Sequence, residues 1–287
     1  MAFPADNAVR FTNNARRENL DATVVPDSTS GLSFRKSSIM TEAAYSSANW
    51  NQPPHNRHSF QHMSALFATQ TIHRSTKPAM AFEYALEDTS QLTYPVSKSA
   101  TEPLQHFLDS TFTDAFLVLK EGVIVTEEYR NNMQDNTQHL LNSVSKSFVG
   151  MLAGIAVEDG LLDTSKYVST YLPELANSAF SETTVQRALD MTAAVAYSED
   201  YDQPKDDFWH EAAVVGWRPD LQSDSSPRCL IDYCKERSQT EQGEGERFHY
   251  RTVLTNLSTA VIERATNTPF CEFFAQRLWQ PLGPEQD

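Results

Sequence analysis

Ser143-Val144-Ser145-Lys146 places a hydroxyl and an amine three residues apart, at the mouth of a helix expected over about Ser143 to Glu158. Residues three apart on a helix share a face, so the two side chains can touch. A serine hydroxyl is a poor nucleophile until a neighbouring base takes its proton. A lysine amine is such a base when burial or nearby positive charge lowers its proton affinity. The backbone N–H groups at a helix start have no partner within the helix and can stabilise a developing oxyanion. One short stretch therefore offers a nucleophile, a base and part of an oxyanion hole.

The motif by itself carries little weight, because a chain this rich in serine yields roughly one Ser-x-x-Lys by chance. A second copy, Ser33-Phe34-Arg35-Lys36, lies in a polar region with no apolar helix after it and is read as a decoy. Context separates Ser143. Val144, Phe148, Met151, Leu152 and Ile155 recur at helical spacing and are expected to form a buried face. Gly150, Ala153, Gly154 and Ala156 are expected to allow close packing on the other faces, and Gly160 to end the helix. This describes a central helix with the serine at its entrance.

The elements that must position it follow from the 287 residues, enough for one large domain or two modest ones. A net charge of −15 argues against nucleic acid and anionic membrane as partners. Cys229, Cys234 and Cys271 are odd in number and form no Cys-x-x-Cys pair, which fits reduced thiols. Met1 to Leu20 lacks the apolar core of a signal peptide, so a cytoplasmic protein is expected. Residues 1–45 read as a polar, disordered arm. Ala115–Leu119 and Val123–Tyr129, joined through Lys120-Glu121-Gly122, read as a β-hairpin whose first strand is apolar enough to be covered on both faces. Short helices are expected at 102–110, 184–191, 229–237, 254–265 and 270–279, with a polar loop from 202 to Val214. A two-stranded sheet does not make a stable core, yet no later stretch reads as a strong strand.

Other chemistries find no anchor. There is no Gly-x-Ser-x-Gly elbow, and His210-Glu211 has no second histidine at metalloprotease spacing. With nine glycines and no phosphate-cradling loop, neither a nucleotide cofactor nor a metal is expected.

Further segments accompany Ser143 and Lys146 in order: Pro53-Pro54-His55-Asn56-Arg57 with Phe60 and His62, then Thr113 to Leu119, then His139-Leu140-Leu141. Tyr171-Leu172-Pro173-Glu174-Leu175-Ala176, Leu189-Asp190-Met191, Glu199-Asp200-Tyr201, Gly216-Trp217-Arg218 and Phe248-x-Tyr250 follow. As an ordered set, from about residue 50 to the end, the chain resembles the nylon-oligomer hydrolase (6-aminohexanoate-dimer hydrolase) and family VIII esterase group of the serine β-lactamase and D,D-peptidase superfamily.

That resemblance implies an α/β fold: an antiparallel sheet flanked by helices, plus a helical domain. Its division of this chain would be a sheet-and-helix domain from 46–165 with 255–287, and a helical domain over 166–254. It implies that Ser143 is the acylated nucleophile and that Lys146 and Tyr250 handle its proton. A tyrosine can act as base beside a cation that stabilises its phenolate. Tyr201 would contact the scissile amide and Trp217 would lie over the pocket, although plain packing accounts for either as well. Taken alone, Tyr250 reads as an ordinary half-buried tyrosine. The implied partner is a small-molecule amide or ester, with a homodimer left open.

Two features depart from the family pattern. Eleven positions after Tyr201, where amide-cleaving relatives can carry an acid, stands Ala212 with Glu211 beside it, which leaves esters and other amides open. Relatives also continue for roughly a hundred residues beyond the Pro281-Leu282-Gly283 segment, with further sheet strands, so an incomplete sheet is expected here. The alternatives are a β-lactamase or D,D-peptidase type of enzyme, or a remnant that binds without turnover.

Overall fold

The computed structural model describes residues 45–224 and 226–287. The Ser33 copy of the motif, and all but Tyr45 of the expected N-terminal arm, lie outside them. The chain enters through turns and a short helix α1 (Asn56–Ser59). Strands β1 (Glu83–Tyr84), β2 (Thr93–Pro95) and β3 (Thr101–Pro103) follow, with α2 (Leu104–Ser110) directly after β3. The expected hairpin is present as β4 (Ala115–Lys120) and β5 (Val123–Tyr129). Its connection places Glu121 and Gly122 at positive φ, a conformation that glycine adopts without a steric penalty.

The hairpin gains a third strand from upstream. β1 runs parallel to β5, with Glu83 opposite Val123 and Tyr84 opposite Ile124, so the sheet order is β1-β5-β4. β2 and β3 form a separate antiparallel pair. The expectation that β4 would be covered on both faces is not met. Leu117 is 52% and Leu119 47% exposed, because β4 is the edge of a three-stranded sheet and only its alternate residues Phe116 and Val118 turn toward neighbours.

The helices follow as α3 (Ser145–Glu158), α4 (Val168–Tyr171), α5 (Val185–Leu189), α6 (Asp207–Val214), α7 (Leu230–Glu236), α8 (Thr252–Thr266), α9 (Phe270–Phe274) and α10 (Gln280–Leu282), with a π-helical turn at Ala275–Trp279 joining the last two. Helix α6 was expected to be loop. Asp206 caps it by accepting from the Phe208 amide at 3.0 Å, and Trp209, Ala212 and Ala213 bury one face.

α3 and α8 form the centre of the core. Val149, Leu152, Ala153 and Ala156 of α3 are buried with Leu254, Leu257, Val261 and Ile262 of α8. The buried face of α3 is therefore rotated from the expected one: Val144 is 58% and Met151 46% exposed. A Cβ added at Gly150 or Gly154 would meet nothing within 4 Å, so these glycines are not close-packing contacts. The core is continuous from α3 through Phe180, Val195 and Tyr233 to Phe274, and the boundary drawn at 254/255 falls inside α8. Among the described residues, no helix is long and apolar enough to cross a membrane.

Candidate active site

Ser143 lies in a 3₁₀ turn (Asn142–Val144) that leads straight into α3. Asn142 starts the turn at φ 46°, a left-handed conformation that asparagine tolerates. The Asn142 carbonyl accepts from Ser145 Oγ at 2.5 Å, which turns Ser145 back on the turn and leaves Ser143 exposed. Lys146, in the first turn of α3, donates from Nζ to Ser143 Oγ at 3.1 Å. Tyr250, 107 residues later, donates from its phenol to the same oxygen at 2.8 Å. The Lys146 ammonium also lies 5.2 Å from the centre of the Tyr250 ring. Two proton-carrying groups from separate elements thus converge on one hydroxyl oxygen.

Tyr250 is held by its neighbours on both sides. The His249 amide donates to the Met191 carbonyl at 2.8 Å, and the His249 ring bonds Glu241 at 2.5 Å. Arg251 is completely enclosed. Its guanidinium donates to the Ala193 carbonyl at 2.9 Å and to the Glu241 carboxylate, which both bases hold below the usual carboxylate range against partial burial. A charge-assisted bond of this kind fixes direction as well as distance. The 249–251 strip therefore presents Tyr250 toward α3 and then enters α8.

Tyr201 is attached to this group indirectly. Its phenol donates to Glu199 Oε1 at 2.6 Å, and Glu199 also accepts from the Thr252 amide at 2.6 Å and the Thr252 hydroxyl at 2.7 Å. Partial burial and the Glu199 bond raise the Tyr201 phenol, so it stays protonated and a donor. Glu199 was not singled out from the sequence as a site residue. Trp217 stands edge-on to Trp50, ring centres 5.6 Å apart, with its carbonyl accepting from the Trp50 indole at 3.3 Å. Among the described residues it forms no hydrogen bond with Ser143, Lys146 or Tyr250. Gly216 before it sits at φ 88°, where a side chain would be strained.

Glu211 is the second residue passed over. It is 1% exposed, accepting from Tyr197 at 2.6 Å and from Asn256 of α8 at 2.7 Å. Burial pushes its carboxyl up to about 7, against the lowering effect of the two hydrogen bonds; Glu199 adds to the rise and Lys146 opposes it. Ala212 beside it is buried too, so neither position projects into open space to meet a substrate. A cavity of about 190 Å³ adjoins Lys146, lined by Val149, Gly150, Ala188, Leu189 and Met191.

A family model described as "Beta-lactamase" matches residues 104–285. The chain is 30% identical over 239 residues to the 6-aminohexanoate-dimer hydrolase of Paenarthrobacter ureafaciens, across 83% of this chain and 58% of that protein. A solved structure named "Putative 6-aminohexanoate-dimer hydrolase from Bacillus anthracis" superposes with a TM-score of 0.77 at 24% identity, over 84% of this chain and 63% of that one. At that identity the likeness shows a shared β-lactamase/transpeptidase-like fold of helices and small sheets. The chain spans less than two thirds of the length of either protein.

Proposed function

The chain belongs to the Beta-lactamase family and is similar to 6-aminohexanoate-dimer hydrolase, and from that premise we propose that it is a hydrolase that cleaves linear amide or ester bonds through an acyl-enzyme on Ser143. The observation that carries this reading is the convergence of Lys146 Nζ at 3.1 Å and Tyr250 Oη at 2.8 Å on Ser143 Oγ.

In the proposed reaction the Lys146–Tyr250 pair first releases one proton to solvent, and the free base so formed takes the Ser143 proton as Oγ attacks the carbonyl carbon. The same pair then returns that proton to the departing amine or alcohol as the tetrahedral intermediate collapses. Water, deprotonated by the pair, attacks the acyl carbon and regenerates Ser143. The exposed position of Ser143 in the 3₁₀ turn ahead of α3 supports access for an open-chain substrate. Tyr201, held as a donor by Glu199, is proposed to bond the scissile amide or ester, and Trp217 to border the pocket.

The test is the intact mass of the chain after mixing with a short p-nitrophenyl ester. One acyl group on the parent, none on Ser143→Ala, and decay of the adduct with time are expected. A folded parent that takes no label, or a Ser143→Ala variant that takes the same label, sinks the reading. A stable adduct without release points instead to a protein that binds but does not turn over.

A further inference from the structure

Glu199 receives three hydrogen bonds and touches both sides of the site. Its Oε1 accepts from the Tyr201 phenol at 2.6 Å and from the Thr252 hydroxyl at 2.7 Å, and its Oε2 accepts from the Thr252 amide at 2.6 Å. Thr252 opens α8 two residues after Tyr250, whose phenol lies 2.8 Å from Ser143 Oγ. The Thr252 amide belongs to the first turn of that helix, where backbone N–H groups have no partner within the helix and a negative charge is favoured. Arg251, the residue before α8, makes no side-chain cap, so Glu199 fills that role from another part of the chain.

The rest of Tyr201 is seated by α6. Trp209 Nε1 donates to the Tyr201 carbonyl at 3.2 Å, and the Phe208 ring stands edge-on to that of Tyr201 with centres 4.9 Å apart. These contacts hold the backbone and the ring, and Glu199 fixes the rotation of the hydroxyl. A phenol carries one O–H. With that proton directed to Glu199, the lone pairs of Tyr201 Oη face elsewhere and are left to accept. Tyr201 is 55% exposed, so this accepting side is open to a bound molecule.

We propose that Glu199 is a positioning residue: one carboxylate sets the direction of the Tyr201 hydroxyl and braces the start of α8 behind Tyr250. This rests on the reading of Ser143 as nucleophile and Tyr201 as a substrate contact. The consequence is directional. A substrate N–H meets a lone pair of Tyr201 and completes a bond, whereas an ester oxygen at the same place has no proton to offer, which narrows the contact of Tyr201 to the amide case. Glutamine at position 199 would reverse the direction. The Thr252 backbone amide can only donate, so the one carbonyl oxygen of the glutamine is drawn to it. The glutamine NH₂ then faces Tyr201 and donates to it, and the phenol turns its own proton toward the substrate.

Two measurements test this. In the first, kcat/KM is compared for a p-nitroanilide and the p-nitrophenyl ester of the same acid. In Glu199→Gln the amide-to-ester ratio is expected to fall by about ten-fold, because a donor then faces the substrate N–H. Tyr201→Phe should lower the ratio as well, and the double variant should lower it no further than Tyr201→Phe alone. Equal losses on both substrates in Glu199→Gln, as a purely structural clamp would give, overturn the proposal, and so do losses that add in the double variant. The second measurement needs no turnover. Tyr201→Phe is expected to lower the urea midpoint less in the Glu199→Gln background than in the parent, since a charge-assisted bond has already been lost there. Equal shifts in both backgrounds mean that the bond does not hold Tyr201 and overturn the proposal. Label persisting on Ser143→Ala refutes the nucleophile reading, while the urea cycle still reports on Glu199. Should Glu199→Gln fail to fold, Tyr201→Phe carries the test, and a ratio unchanged in that variant refutes the assignment.

Discussion

Replacing Glu211 with glutamine should make the difference in stability between variant and parent depend on pH. The carboxyl is 1% exposed, and burial raises it from 4.5 to about 7 in the folded protein. A group whose folded value lies above its unfolded value takes up a proton on folding between the two. Its stabilising contribution is complete below about pH 4.5 and is lost as pH rises through 7. Each unit corresponds to about 1.4 kcal/mol, so the whole swing is about 3 kcal/mol. Glutamine has no such proton to lose. At pH 5 the variant should equal the parent or fall below it, since one of its two bonds is weakened. From pH 5 to 7.5 it should gain steadily, by about 2.5 kcal/mol relative to the parent, and above about pH 8 the difference should level off. Urea unfolding followed by circular dichroism at half-unit intervals measures this directly. Other titrating carboxylates, such as Glu241 and Asp163, are common to both proteins and cancel in the difference. A difference that stays flat across this range, or shrinks as pH rises, would refute the assignment of a buried, neutral-range carboxyl at position 211.

Two further substitutions probe the frame around the site. Arg251→Met removes the enclosed guanidinium that bonds the Ala193 carbonyl and Glu241, and should cost roughly 2–4 kcal/mol in urea unfolding; a loss below about 0.5 kcal/mol would mean that the 249–251 strip is held by something else. Leu257→Ala opens a hole between α8 and α3 at a fully buried position and should cost about 2–5 kcal/mol, read as a lower urea midpoint with the slope unchanged.

How far the sequence reaches depends on how local each feature is. The Ser143–Lys146 contact was legible because three-residue spacing on a helix is a local rule, and the 3.1 Å bond follows it. The β4–β5 hairpin was legible for the same reason. The phase of α3 was not. Apolar residues occur on more than one of its faces, so periodicity identifies the helix without choosing between Met151 and Val149 as the inward residue. That choice is made by α8, about a hundred residues later. Helix α6 was lost to its acidic start, although Asp206 as a cap and Trp209, Ala212 and Ala213 at helical spacing were a usable signal. β1, a two-residue strand, carries too little pattern to be read at all.

Glu211 marks the limit of this kind of reading. Its partners are Tyr197, fourteen residues before it, and Asn256, forty-five after it. No spacing rule joins them, and a glutamate in an acidic stretch reads as solvated surface. What reverses that reading is enclosure, which only the packing of α6 against α8 creates. The same packing stands beside the site, because α8 begins two residues after Tyr250 and carries Thr252, the partner of Glu199. The Ser143–Lys146 pair is thus specified locally, while Tyr250 and the setting around it are specified by the packing of the fold. A variant library screened only around Ser143, Lys146 and Tyr250 would leave that setting unexplored. The residues that adjust it lie on the inner faces of α6 and α8, where substitutions that change charge at constant volume separate electrostatic effects from packing.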